Sequence, residues 1–138
     1  MQDNFLHEKG EVVEDIHFIY NGIVGYVLKE HDNTVFATAE KGDYLGLVDL
    51  IPDKEEIKGG DALQKRKFNV MCLSDWCEYL ILWVDDLDIV KEHHPDFFDD
   101  LFEGSYTWLK RLRALRDAAI KEVTLSPLQA MLQGIIMK

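Results

Sequence analysis

Basic charge is what this sequence has least of. Lys and Arg together number 15 against 26 Asp and Glu, a formal net charge of −11. A surface of that sign does not gather nucleic-acid phosphates or anionic lipid headgroups, so nonspecific binding to either is disfavoured as the main activity. Long apolar runs are missing as well. The longest, YLILWV at 79–84, falls far short of the roughly 20 residues that a membrane span needs. The first ten residues, MQDNFLHEKG, are polar and acidic and lack the pattern of a secretion signal. Cysteine is nearly absent. Cys72 and Cys77 lie five positions apart in what reads as strand, where side chains at odd spacing point to opposite faces. Two buried free thiols in a reducing compartment are expected, rather than a disulfide. Internal repeats and low-complexity tracts are absent too.

What is present is core material. Apolar residues make up 47% of 138, with seven Phe, five Tyr and three Trp. That is enough for one packed domain and excludes a disordered chain. The chain changes character near residue 84. Before it come short strands divided by turns: NFLH at 4–7, IHFIY at 16–20, IVGYVLK at 23–29, TVFATA at 34–39, KFNVMCL at 67–73 and CEYLILW at 77–83. Asn21-Gly22 is a tight-turn signal and predicts a hairpin between the second and third of these. Short strands spaced by turns point to a small roll, barrel or sandwich. The segment 52–67 is the most loop-like part.

After residue 84 the apolar period is helical. VDDLDIVKEHH at 84–94 predicts a short amphipathic helix stopped at Pro95. A long helix follows from about Asp96 to Val123, with Phe98, Leu101, Phe102, Ser105, Trp108, Leu109, Leu112, Leu115, Ala119 and Ile120 at three- and four-residue steps. Its first turns are acidic and its later turns basic, which complements the helix dipole. TLSP at 124–127 is read as its end, leaving a tail at 124–138 with room for a short helix.

One stretch carries chemistry. KGDYLGLVDLIPD at 41–53 reads as a strand end, a Gly-Asp turn, a bare Gly46 and a short helical turn. A glycine without Cβ followed by helical N–H groups is a shape that holds a phosphate. Set in order, FLHEKGE…IHFIYNGIVGYVL, KGDYLGLVDL, RKFNV and MCLSDWCEYLIL resemble the cyclic nucleotide-binding domain. This is the β-roll with trailing helices found in protein kinase A regulatory subunits, catabolite activator proteins and cyclic nucleotide-gated channels. The resemblance covers roughly residues 3–122, and the nearest relatives in character are the C-terminal domains of protist cyclic nucleotide-gated or voltage-gated potassium channels. KGDYLGLVDL resembles the Gly-Asp-x-Phe-Gly-Glu-x-x-Leu start of the family's phosphate-binding cassette, and RKFNV its usual Arg-x-Ala-x-Val end.

The resemblance implies a site. Gly46, Leu47 and Val48 fall in the turn that cradles the phosphate. Arg66 takes the place of the arginine that neutralises the phosphodiester, and Asn69 that of a residue facing the phosphate or the purine edge. Leu112, Leu115 and Arg116 fall where a purine would be capped. Three departures stand against it. Leu47 replaces the glutamate that accepts the ribose hydroxyl, and leaving that group unpaired costs about 1–3 kcal/mol. The cassette is long and holds Asp53, Glu55, Glu56 and Asp61. Phe68 replaces a small residue. Each residue also has a plainer reading: Arg66 as a surface arginine within KRK, Gly46 as a tight turn, Leu47 as core, Asn69 as an ordinary strand residue, and the Leu112–Arg116 stripe as packing against the roll.

The expectation is therefore mainly β with C-terminal helices. A cyclic nucleotide-binding-like domain occupies 1–123 (a jelly-roll-like double-stranded β-roll at 3–83, helices at 84–123), with the family's N-terminal helix and first strand missing and a tail at 124–138. The resemblance implies a regulatory module, the cytoplasmic part of an ion channel at the inner face of a membrane, that couples cAMP or cGMP binding to gating. The alternative is a degenerate roll that binds no nucleotide and serves structure or assembly. Other subunits, the channel's transmembrane portion or a second copy of the chain are the implied partners, and nucleic acid is not one. No cofactor and no metal are expected: Glu92, His93 and His94 are adjacent and do not converge on a helix, and 85–88 lacks a calcium loop. Ser74, Asp75 and His17 assemble no nucleophile triad, so no catalytic residue and no enzyme activity are expected. The tail is too short for a helix-turn-helix.

Overall fold

The computed structural model describes residues 5–52 and 64–136. Among the described residues, seven strands form two sheets. In one, β1 (Phe5–His7), β6 (Asn69–Cys72), β3 (Val24–Leu28) and β4 (Thr34–Ala39) lie in that order. In the other, β5 (Tyr44–Leu45), β2 (Asp15–Asn21) and β7 (Glu78–Trp83) lie side by side. All pairings are antiparallel. Two helices follow, α1 (Leu87–His93) and α2 (Pro95–Ile136). Mainly β with C-terminal helices is what the alternation before residue 84 and the helical period after it predict.

Two local expectations are corrected. Strands β2 and β3 do not form a hairpin: β2 pairs with β5 and β7, β3 with β4 and β6. Asn21-Gly22 does turn the chain, but as a corner between the sheets. Gly22 has φ +96°, and a Cβ there would sit 2.7 Å from both Trp76 O and Cys77 Sγ. The β2–β3 corner thus rests directly on the β6–β7 corner, and only glycine lets the two backbones meet. The second correction concerns the cysteines. Cys72 ends β6 and Cys77 precedes β7, on the two arms of that corner rather than along one strand. Their Cα atoms are 6.3 Å apart and they are joined by a disulfide, so the expected pair of free thiols is not present.

The β3–β4 hairpin forms as the sequence indicates, closed by Asp32 and Asn33 in left-handed conformation (φ 54° and 56°). Pro95 opens α2 after His94 leaves helical geometry (φ −139°, ψ 63°). Helix α2 runs on through Pro127 to Ile136, 42 residues in all, where the sequence reading ends it near Val123. A proline removes one N–H from the helix ladder, and the helix continues past it. Most of the loop-like segment, with Asp53, Glu55, Glu56 and Asp61, lies outside the described residues.

The core fills the roll and the groove under α2. Tyr26, Leu45, Val48, Phe68, Val70, Leu109 and Leu112 belong to its larger cluster, and Ile16, Leu47, Leu87 and Leu101 form a second. Trp108 of α2 meets Tyr26 edge-on at 6.1 Å and donates its Nε1–H to the Tyr26 hydroxyl at 3.4 Å. Phe68 lies edge-on to the same Tyr26 ring and tilted against Phe36. Each such side chain, buried, stabilises the fold by about 1.5–3 kcal/mol, so the helix is fastened to the roll by aromatic packing. The heptad-like stripe predicted for α2 is the face that does this: Leu101, Ser105, Leu109 and Leu112 are all buried.

Candidate functional site

The turn after β5 brings the chain close to Arg66. Gly46 sits at φ +106°, and a Cβ there would lie 2.8 Å from Arg66 Nη1 and 3.1 Å from Asp15 O. The backbone at Gly46 therefore touches the guanidinium, and any side chain would push it away. Residues Leu47–Leu50 then form one 3-10 turn. Arg66 is held from the other side by backbone bonds: its N–H donates to Glu11 O at 2.7 Å, and its carbonyl accepts from Gly10 N–H at 2.9 Å. Gly46 and Arg66 thus meet, as the motif order implies.

What fills the guanidinium's fork is the protein itself. Nη2 donates to Asp15 Oδ1 at 2.7 Å and to Asp15 O at 3.0 Å, and Nη1 donates to Asp49 Oδ2 at 3.3 Å. Asp49 lies in the 3-10 turn, is 3% exposed, and also accepts the Lys67 N–H at 2.8 Å. Burial pushes its carboxyl up to about 6, against the pull of the Lys67 N–H and the Arg66 charge. Sequence reasoning missed Asp49. Its one signal was an acid set between apolar residues in LVDL, where a surface turn would not need to be apolar on both sides.

The other expected residues separate into two groups. Leu47 is 1% exposed and packs with Ile16, Leu87 and Leu101, and Val48 is part of the larger core. Leu112 is fully buried in that core and Leu115 packs against it. Asn69 and Arg116 instead border a cavity of about 250 Å³ shared with Lys9, Phe36, Phe68 and Ile120. Asn69 Oδ1 accepts the Lys9 N–H at 2.9 Å, and Arg116 pairs with Asp117 at 3.1 Å. The structure therefore brings Gly46 against Arg66, and sets Asn69 and Arg116 on one cavity.

Beside Arg66 lies a group that sequence reasoning passed over. His7 Nε2 is 3.2 Å from His17 Nδ1, and His17 Nδ1 is 3.5 Å from Asp15 Oδ1. Asp15 and His17 are two apart on β2, so both point to one face, and β1 brings His7 opposite. Burial, then the Arg66 and His17 charges, hold the His7 imidazole down at about 2. Burial also lowers His17, with Asp15 opposing and Arg66 reinforcing the shift. Both rings are neutral at neutral pH. Asp15-x-His17 was legible as a same-face pair; its partner, ten residues before His17, was not.

Among the described residues, no helix is long and apolar enough to cross a membrane. No protein-family model matches the sequence, and no curated protein matches it. Among solved structures it is similar to the C-linker/CNBHD of zELK channels, crystallised in the presence of cAMP, with a TM-score of 0.51 and 24% identity. The match covers 72% of this chain and 45% of that one. A likeness of that degree shows the fold: the chain has the fold of a cyclic nucleotide-binding homology domain, mainly β with trailing helices.

Proposed function

We propose that this chain is a regulatory module of the ion-channel type, lying on the cytoplasmic side of a membrane, which works without a nucleotide. The observation that carries the reading is the state of Arg66. In the resembling family that arginine receives a phosphodiester; here Asp49 and Asp15 supply the anions from within the fold. A third anion would have to displace a carboxylate that is itself buried, against charge repulsion. Leu47 offers no acceptor for a ribose hydroxyl. Coupling to the rest of a channel then runs through α2, which is packed on both the roll and the Leu47–Leu50 turn.

The test is calorimetric titration of the folded chain with cAMP and with cGMP. No binding at millimolar nucleotide is the expected result. Binding that Arg66→Ala abolishes overturns the reading and makes the chain a nucleotide sensor. A second reading has its own observation: the cavity bordered by Asn69, Lys9 and Arg116 carries polar groups beside two aromatic rings. A nucleotide seated there would lose affinity in Arg116→Ala and keep it in Arg66→Ala.

A further inference from the structure

We propose that His7, Asp15 and His17 form a binding site for a divalent metal of the zinc class, clipping the first strand of one sheet to the second strand of the other. The site is independent of any nucleotide. One nitrogen from each ring and one Asp15 carboxylate oxygen all lie within 4.8 Å of one another. Zinc holds nitrogen and oxygen ligands at about 2.0–2.2 Å in a tetrahedron, which sets neighbouring ligand atoms about 3.3–3.5 Å apart. The His7–His17 and His17–Asp15 separations, 3.2 and 3.5 Å, already match two edges of that figure. The third separation, His7 to Asp15, lies within 4.8 Å and shortens on binding.

Chemistry agrees with geometry. Two imidazoles and one carboxylate are a borderline donor set, suited to Zn²⁺, Co²⁺ or Ni²⁺ and poor for Mg²⁺ or Ca²⁺, which take oxygen. Each ring keeps one proton on its outward nitrogen when the inward one takes the metal, so no net proton need leave. Asp15, Asp49 and Arg66 together carry one net negative charge, which a divalent cation offsets. Arg66 becomes the outer hydrogen-bond partner of the ligating carboxylate, a role that supporting groups fill at metal sites. A cavity of about 220 Å³ bordered by Glu11, Glu14, Asp15 and His17 reaches the site. It supplies an entry path and room for a water in the fourth position.

The plainer account is a buried histidine pair sharing one hydrogen bond. The two accounts differ in solution. The full chain, stripped with EDTA, is titrated with Zn²⁺ by calorimetry and with Co²⁺ by visible absorption. One equivalent of Zn²⁺ is expected to bind and to raise the melting temperature, and Co²⁺ to give a four-coordinate spectrum. His17→Ala and His7→Ala are each expected to weaken binding more than about a hundred-fold, beyond the loss that a mere supporting partner causes. Should either variant fail to fold, imidazole nitrogen resonances of the unsubstituted chain decide. Zn²⁺ is expected to shift His7 and His17 and to leave His31, His93 and His94 in place. No stoichiometric binding by the folded chain overturns the proposal, as does binding that moves only His93 and His94 or survives in both variants.

Discussion

Removing Arg66 while keeping its bulk tests whether the charge centre is structural. In Arg66→Met the Asp49 carboxylate, 3% exposed, keeps the Lys67 N–H and the weaker pull of the Lys67 charge but loses its paired cation. Breaking a buried ion pair from one side costs about 3–5 kcal/mol. Asp49 has a way to limit that cost, because its carboxyl already lies near 6 in the folded chain and rises further without Arg66. It takes a proton on folding, so the loss at pH 7 is expected near the lower bound, about 3 kcal/mol. The sign with pH follows. A carboxyl raised above its unfolded value contributes stability that is fully present below about pH 4 and is lost as pH rises through the folded value. The variant's deficit is therefore expected to widen from pH 5 to pH 8. Asp49→Leu added to Arg66→Met removes the unpaired acid and is expected to recover more than half of the loss. Urea unfolding followed by tryptophan fluorescence measures all three chains. A deficit under about 1 kcal/mol at unchanged m-value, or a double variant no better than Arg66→Met, would refute the reasoning.

Four further outcomes are expected. His7 is held near 2, so its neutral form contributes stability above pH ~6.5 that is lost as acid protonates the unfolded chain. His7→Gln is expected to remove that part of the acid sensitivity, about 1.4 kcal/mol per pH unit between pH 5 and 6, in pH-dependent unfolding. Gly46→Ala puts a methyl at positive φ against the guanidinium and is expected to cost more than about 1 kcal/mol, read as a lowered urea midpoint. Phe68→Ala leaves a void beside Tyr26 and Phe36 and is expected to cost about 3–5 kcal/mol by the same assay. Cys77→Ser opens a bridge spanning five positions and is expected to cost about 2 kcal/mol. Reductant should lower the unsubstituted chain to the variant's level and leave the variant unmoved.

How far the sequence alone led can be traced through particular residues. The strands and the long helix were legible because their periods of two and about 3.6 are local. Residues Phe98 to Leu112 mark the buried face of α2 by spacing alone. Sheet membership was not legible at Asn21-Gly22, because a hairpin turn and a corner use the same dipeptide. Only the distant backbone at Trp76 and Cys77 distinguishes them. The cysteines were misplaced for another reason: their five-residue spacing was read along one strand, although a corner separates them. Gly46 and Arg66 were found as a pair through motif order. Asp49 and Asp15, which occupy Arg66, were not, since a buried acid and a surface acid look alike until their partner across 17 or 51 positions is known. His7 and His17 escaped for the same reason.

Helix α2 is 42 residues long, about 63 Å at 1.5 Å per residue, and among its described side chains those packed into the two core clusters run from Phe98 to Leu115. Its core packing is thus concentrated in its first half. A tilt of about 5° pivoting at Leu101 would carry Ile136, roughly 52 Å away, through some 4–5 Å. That is close to a full helical turn, from a rotation that moves Trp108, about 10 Å from the pivot, by only about 1 Å. Repacking at the Leu47–Leu50 turn, where Leu47 meets Leu101, would be read at the far end as displacement rather than as energy.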